Sequence, residues 1–183
     1  MIRTLASRAA PDIPEVESER LVLRAYRVGD LEDAAALWSD PRVVEFIGGV
    51  PRSRPDVWQQ MQRSIGSWGL LGYGYWAIEQ KSDGRYVGEL GFLEGLRDIS
   101  PSLTGKPEMG WALGPDFWGQ GYASEAVLAA LQWAGEPMQG LDICCIIEPG
   151  HAASLRIARK CGFNRLAETS FRGTPIVQFG RTM

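Results

Sequence analysis

Glu108, Gly119 and Gly121 stand close together in one stretch, Glu108 to Ala134, EMGWALGPDFWGQGYASEAVLAALQWA. Met109 to Leu113 is short and apolar enough for a strand, GPDFWGQG is turn-rich, and Tyr122 to Ala134 is a nearly unbroken helix pattern. The order is strand, glycine loop, helix. Gly119 and Gly121 flank Gln120, and a loop with so little bulk can turn its backbone N–H groups toward one point and let a ligand come close. The first N–H groups of the following helix have no partner within it, and the helix dipole adds partial positive charge at the same end. A diphosphate could be held there without a lysine, so the expected ligand carries phosphates. A P-loop needs Gly-Lys-Ser/Thr at its end, and the dinucleotide fingerprint needs a third glycine and an acid further on. Neither is present.

Trp118 to Ala126, WGQGYASEA, and Pro149 to Phe163, PGHAASLRIARKCGF, are two ordered motifs. Together they resemble the coenzyme A signature of the GNAT superfamily of acetyl-CoA-dependent N-acetyltransferases, closest to the branch that includes ribosomal-protein N-terminal alanine acetyltransferases. The resemblance covers most of Arg20 to Arg181. It implies an α/β (α+β) fold with a mixed, mostly antiparallel sheet and helices on both faces. It also implies acetyl-CoA as co-substrate, no metal, and an acetyl group moved by direct attack to a primary amine of a small molecule or a protein N-terminus.

Acetyl transfer from a thioester needs an unprotonated amine. An alkylamine with a pKa of about 10.4 is mostly ammonium at neutral pH, so a base must remove a proton, and the departing thiolate gains from a proton donor. By the resemblance Glu108 is the expected base, with Glu89 and Glu148 as competitors. Ser154 stands at the serine of the Asn-x-x-Ser pattern, as a donor toward the sulfur or a partner of the pantetheine arm. Many relatives carry a tyrosine where this chain has Ala158, which leaves Ser154, Tyr122 or water as the donor. His151 replaces the usual asparagine and can still offer one donor and one acceptor. The backbone of Trp118, Gly119, Gln120, Gly121, Tyr122, Ala123 and Ser124 is expected to hold the diphosphate, and that of Trp111 and Leu113 the pantetheine amides.

These residues need positioning elements. Arg20 to Tyr26 alternates well enough for a half-buried strand, with its arginines and tyrosine outward. Asp30 is an expected N-cap for a helix to about Asp40, stopped by Pro41, and Val43 to Val50 reads as a turn or buried loop. Ser53 opens a second helix through about Ser67, with Val57, Met61 and Ile65 on one stripe. In the resemblance this region borders the acceptor site, making Phe46, Trp58 and Trp68 expected walls or plain core. Tyr75 to Gln80 and Arg85 to Leu93 flank an Asp-Gly turn and form a hairpin. Leu141 to Ile147 is a continuous apolar run expected to pair in parallel with Glu108 to Leu113. A helix over about Ala152 to Cys161 ends at Gly162, and Phe163 to Ser170 with Ile176 to Arg181 close the chain as a hairpin.

At 183 residues the chain is long enough to bury a core without disulfides or metal, and residues 19–183 are expected to form one domain behind a poorly ordered lead-in over 1–18. The net charge of −3 argues against a broad nucleic-acid surface and favours a small-molecule or peptide partner. Three cysteines without a spaced framework suggest reduced thiols in the cytoplasm, and the single histidine has no metal-ligand partner at suitable spacing. No apolar run is long enough to span a bilayer. The alternatives kept open are transfer of a larger acyl group such as succinyl, a coenzyme A-binding sensor without turnover, and homodimerisation through a sheet edge.

Overall fold

The computed structural model describes residues 11–183. The strands are β1 (Val16–Glu17), β2 (Leu21–Arg24), β3 (Tyr75–Gln80), β4 (Tyr86–Leu93), β5 (Glu108–Leu113), β6 (Asp142–Ile147), β7 (Asn164–Phe171) and β8 (Thr174–Thr182). The helices are α1 (Leu31–Ser39), α2 (Pro41–Val44), α3 (Arg54–Leu71), α4 (Tyr122–Ala134) and α5 (Ala152–Lys160). All eight strands join in one sheet of order β1-β2-β3-β4-β5-β6-β8-β7. Only β5 and β6 run parallel, because the α4 crossover returns the chain in the same direction.

That parallel pair is short. Glu108 is opposite Cys144, and the Cys144 N–H donates to the Pro107 carbonyl at 3.0 Å. Beyond this point β5 stays bonded to β4 as far as Leu113 and β6 to β8 as far as Ile147, so the two halves of the sheet part and leave a gap.

The two faces are filled differently. Against α4 and α5, Leu21, Leu23, Ile78, Leu90, Phe92 and Met109 pack on Val127, Ala130 and Ala134 in a dry core. Trp76 is fully buried there, edge-on to Trp68 at 4.7 Å and to Trp133 at 5.0 Å. The other face meets α1, α2 and α3 through Ala77 and Ala112, under Leu31, Leu37, Val57 and Met61.

A bulge in β4 places the polar residues of that second face. The β3–β4 register shifts between Ile78 and Glu79, which sets both Tyr86 and Glu89 on the α1–α3 side, their side chains 3.5 Å apart. The position opposite β5 must be glycine: a Cβ at Gly88 would lie 2.2 Å from the Ala112 carbonyl oxygen.

Several boundaries differ from expectation for local reasons. Residues 1–10 of the expected lead-in lie outside the described residues; within residues 11–18, β1 pairs with β2 and the Pro14 carbonyl accepts from the buried Trp76 indole at 2.8 Å. Arg24 and Tyr26 point inward. The Arg24 guanidinium meets Asp30 at 2.8 Å and Glu79 at 2.6 Å, which satisfies its buried charge. Asp30 precedes α1 without capping it, its carboxylate being used by Arg24 and by the Arg27 N–H. Pro41 ends α1 but also starts α2, capped by Asp40. Ser53 caps α3 as expected, and the helix runs past Ser67 to a left-handed Gly72 because Trp68 is anchored in the core.

Candidate active site

A cleft of about 760 Å³ opens where β5 and β6 part. Its walls come from α1, the segment before α3, α3 itself, the start of β3, β4 from its middle to its end and the segment after it, β5 and β6, the start of α5, and the β7–β8 hairpin. Alternation along β5 sends Gly110 and Ala112 to one face and Trp111 to the other, and all three line the cleft. The cleft therefore passes through the sheet at the gap and connects its two faces.

On the α1–α3 side, Glu89 lies at the floor, 1% exposed. Tyr26 donates its hydroxyl to one carboxylate oxygen at 2.7 Å, and the Gln60 amide donates to the other at 2.5 Å. Burial pushes the Glu89 carboxyl above the usual carboxylate range, and these bonds only partly oppose it. The Trp38 indole N–H lies close enough to favour the charged carboxylate, yet without hydrogen-bond geometry, and no described residue takes it as a partner.

Tyr75 is a functional candidate that the sequence did not single out. Its hydroxyl hangs over Gly110, where a Cβ would come within 2.1 Å of it, so only glycine leaves room for the phenol. Burial, with the charges of Glu108 and Glu89, pushes that phenol well up, and it stays a proton donor at neutral pH. Only cross-strand placement reveals it: Tyr75 pairs with Gly91, and Gly91 with Gly110.

Glu108 lies further along the same face. Both of its oxygens accept from Arg97, at 2.7 and 2.5 Å, and Arg97 in turn sits over the Phe171 ring at 4.7 Å. Glu148, the other competitor, also lines the cleft. Of the three expected aromatic walls, Phe46 lines the cleft; Trp58 packs with the α1–α3 cluster and Trp68 belongs to the aromatic core.

On the α4–α5 side, Trp111, His151 and Ser154 line the cleft together. The Trp111 indole donates to Ser154 Oγ at 3.2 Å, and Ser154 is buried. His151 stacks on Phe46 with ring centres 4.9 Å apart. Burial pulls its imidazole below the usual value, with Glu45 opposing, so it is neutral at neutral pH. Ala158 is wholly buried and offers no hydroxyl.

Leu113, Trp118, Gly119, Gln120, Gly121, Tyr122, Ala123 and Ser124 lie outside the cleft lining, on the loop that β5 feeds directly. Gly119 and Gly121 are left-handed, at φ 73° and 84°, and a Cβ on Gly119 would meet nothing within 4 Å. The first bond of α4 runs from the Glu125 N–H to the Gly121 carbonyl, so the amides of Tyr122, Ala123 and Ser124 precede it and have no helical partner. Unpartnered amides at a helix start are available to an anion.

Side chains brace the loop. Trp118 donates its indole N–H to the Leu113 carbonyl at 2.7 Å. The exposed Gln120 donates to the Asp116 carbonyl. Glu125 accepts from Ser18 at 2.7 Å and from the Arg20 guanidinium and backbone at 2.7 and 2.8 Å, which ties α4 to the start of β2. The Tyr122 side chain is not a donor in the cleft: it is buried beneath Arg20, with its hydroxyl accepting from Gln80.

A parted parallel pair, a glycine loop and a helix start thus follow one another in direct succession. The acetyltransferase (GNAT) domain model matches residues 20–164, and the chain belongs to this family of acyltransferases. Among relatives, it is 26% identical over 149 residues to the uncharacterised N-acetyltransferase p20 of Bacillus licheniformis, with 81% of each chain covered. Among solved structures, an acetyltransferase from Agrobacterium tumefaciens superimposes with a TM-score of 0.80 at 23% identity, covering 99% of each chain. RimL, a ribosomal-protein α-N-acetyltransferase in complex with coenzyme A, superimposes with a TM-score of 0.74 at 17% identity, covering 93% of this chain and 98% of its own.

Proposed function

We propose that the protein transfers an acetyl group from acetyl-CoA to a primary amine by direct attack. The observation that carries this reading is the gap between β5 and β6, leading along one strand into the unpartnered amides at the α4 start. Diphosphate would sit on the backbone from Gly119 to Ser124. The pantetheine arm, which has amides of its own, would complete the unpaired strand edges of the gap beside Trp111 and Ser154. Coenzyme A bound in the structural neighbour RimL supports the same carrier here.

The amine would then approach from the α1–α3 face. Its nitrogen attacks the thioester carbonyl, the C–S bond breaks, and the amine proton leaves to a carboxylate directly or through water. Glu89 suits this role better than Glu108. Both oxygens of Glu108 are occupied by Arg97, whereas Glu89 is raised by burial and contacts no cation directly. Glu108 with Arg97 then shapes the far end of the cleft. The departing thiolate accepts a hydrogen bond from Tyr75 or Ser154 and is neutralised by the proton released from the amine, directly or through water. The three buried cysteines are free, which supports a reducing compartment such as the cytoplasm. Among the described residues no helix is long and apolar enough to cross a membrane.

Calorimetric titration with acetyl-CoA tests the carrier assignment, beside a Gly121→Trp variant that puts a large side chain at a left-handed position next to the anion cradle. Binding by the wild type, weakened at least about tenfold in a variant of native circular dichroism, is the expected result. Absence of binding by folded wild type would remove the reading.

A further inference from the structure

The acceptor end of the cleft contains charge that the protein itself leaves unanswered. Arg24, buried, contacts two carboxylates, and Arg97 grips both oxygens of Glu108. Arg52 is treated differently. It is half-buried, its guanidinium lies 3.6 Å over the Trp38 ring, its backbone N–H donates to the Trp38 carbonyl at 2.9 Å, and one guanidinium nitrogen donates to the Gln60 side-chain carbonyl. Among the described residues, no carboxylate lies within the 4.0 Å of an ion pair for Arg52, nor for Arg63 on α3. Burial works against the Arg52 charge, with Glu89 and, more weakly, Tyr75 and Asp56 favouring it from beyond ion-pair distance. A guanidinium has five N–H donors, and Gln60 takes one side of the Arg52 fork.

The surroundings repeat the pattern. Gln60, Arg63, Ser64 and Ser67 recur at helical spacing on α3 and all line the cleft, as Arg52 does. Gln60 stands between opposite charges: its carbonyl accepts from Arg52 while its amide donates to Glu89. The acid and the guanidinium are thus held one amide group apart, fixed by a shared partner. The Trp38 indole N–H beside them is buried and unpartnered.

We infer that the acceptor is a small zwitterion of the amino-acid type, its amine presented to Glu89 and its carboxylate, a few bonds away, taken by the forks of Arg52 and Arg63. This rests on the acetyl-transfer reading. A guanidinium without a carboxylate is completed by a carboxylate from outside, in the planar geometry that suits arginine. The one-amide spacing between Arg52 and Glu89 limits how far apart the two groups of the acceptor lie. A protein N-terminus places no carboxylate at that distance unless its first side chain supplies one.

The test uses the common α-amino acids and their carboxamides as matched probes, with the full-length protein and coenzyme A present. Binding is read by thermal shift and turnover by thiol release from acetyl-CoA. At least one amino acid should bind or react about tenfold or more better than its carboxamide, and Arg52→Gln and Arg63→Gln should each collapse that preference by about tenfold. Arg52→Lys, which keeps the charge without the fork, should restore it in part. Arg63 lines the cleft but its side chain is exposed, so its variant reports even if Arg52→Gln folds poorly. Equal use of acid and carboxamide, or no binding and no turnover of any amino acid, overturns the inference. The acetyl-CoA titration is read independently, so a protein that binds the carrier but ignores the carboxylate loses only this assignment.

Discussion

The two faces of the sheet solve opposite problems with the same strands. Against α4 and α5, tryptophans from α3, β3 and α4 interlock, and the one polar atom of Trp76 is carried out to the Pro14 carbonyl. Against α1 and α3, the same strands present Glu89, Tyr75 and Tyr86, polar groups that are costly to bury and that a hydrophobic face would exclude. The first face contributes stability through packing. The second gives some of it up, holding a carboxyl away from water, which raises its proton affinity. The gap between β5 and β6 is where one face is open to the other.

Removing the acid tests the comparison most severely. Glu89→Gln should lower kcat by roughly a hundredfold to ten-thousandfold. In the wild type, activity should climb as pH rises through a limb above the usual carboxylate range, and that limb should vanish in the variant, whereas Glu108→Gln should keep it. A retained limb in Glu89→Gln would move the base elsewhere. The linked stability has a definite sign: the folded pKa of Glu89 is above its unfolded value, so its contribution is present at low pH and is lost as pH rises through the folded value. Glu89→Gln should therefore gain in Tm relative to wild type as pH rises.

On the packed face, Trp76→Ala should cost about 3–5 kcal/mol in urea unfolding, because the ring is fully buried among three other aromatics. A loss under about 1 kcal/mol would mean that this face is not the stabilising one.

The smallest effect belongs to the brace between the faces. Glu125→Gln removes one charge from the clamp to Ser18 and Arg20 and should cost about 1 kcal/mol at neutral pH. Burial pushes the Glu125 carboxyl up, but the Ser18 and Arg20 bonds outweigh it and hold it below its usual value. Its stabilisation is present above the unfolded pKa and fades as pH falls through the folded one. Melting curves of the two proteins should thus converge in acid.

The proposed cofactor half was legible because it is continuous in the chain. A strand, two left-handed glycines and a helix start follow one another, so order along the sequence is nearly order in space. The acceptor half is assembled from segments far apart. Arg24 and Tyr26 satisfy an outward alternation, yet face inward because Asp30, Glu79 and Glu89 await them. Glu108 was visible as an acid on the leading strand, but its partner Arg97 lies in a polar loop with no periodic signal. Tyr122 has a hydroxyl in the right motif, and helix phase turns it to the wrong side.

Sequence alone determined the family, the order of strands and helices around the crossover, and the glycine loop, since local turn chemistry and hydrophobic period depend on near neighbours. Tertiary structure alone decided which carboxylate is buried without a cation, that Arg52 and Arg63 line the cleft without an acid partner among the described residues, and that Tyr75 meets Gly110. Those properties depend on desolvation and on pairing across strands, where one bulge at Gly88 changes the face to which a side chain points.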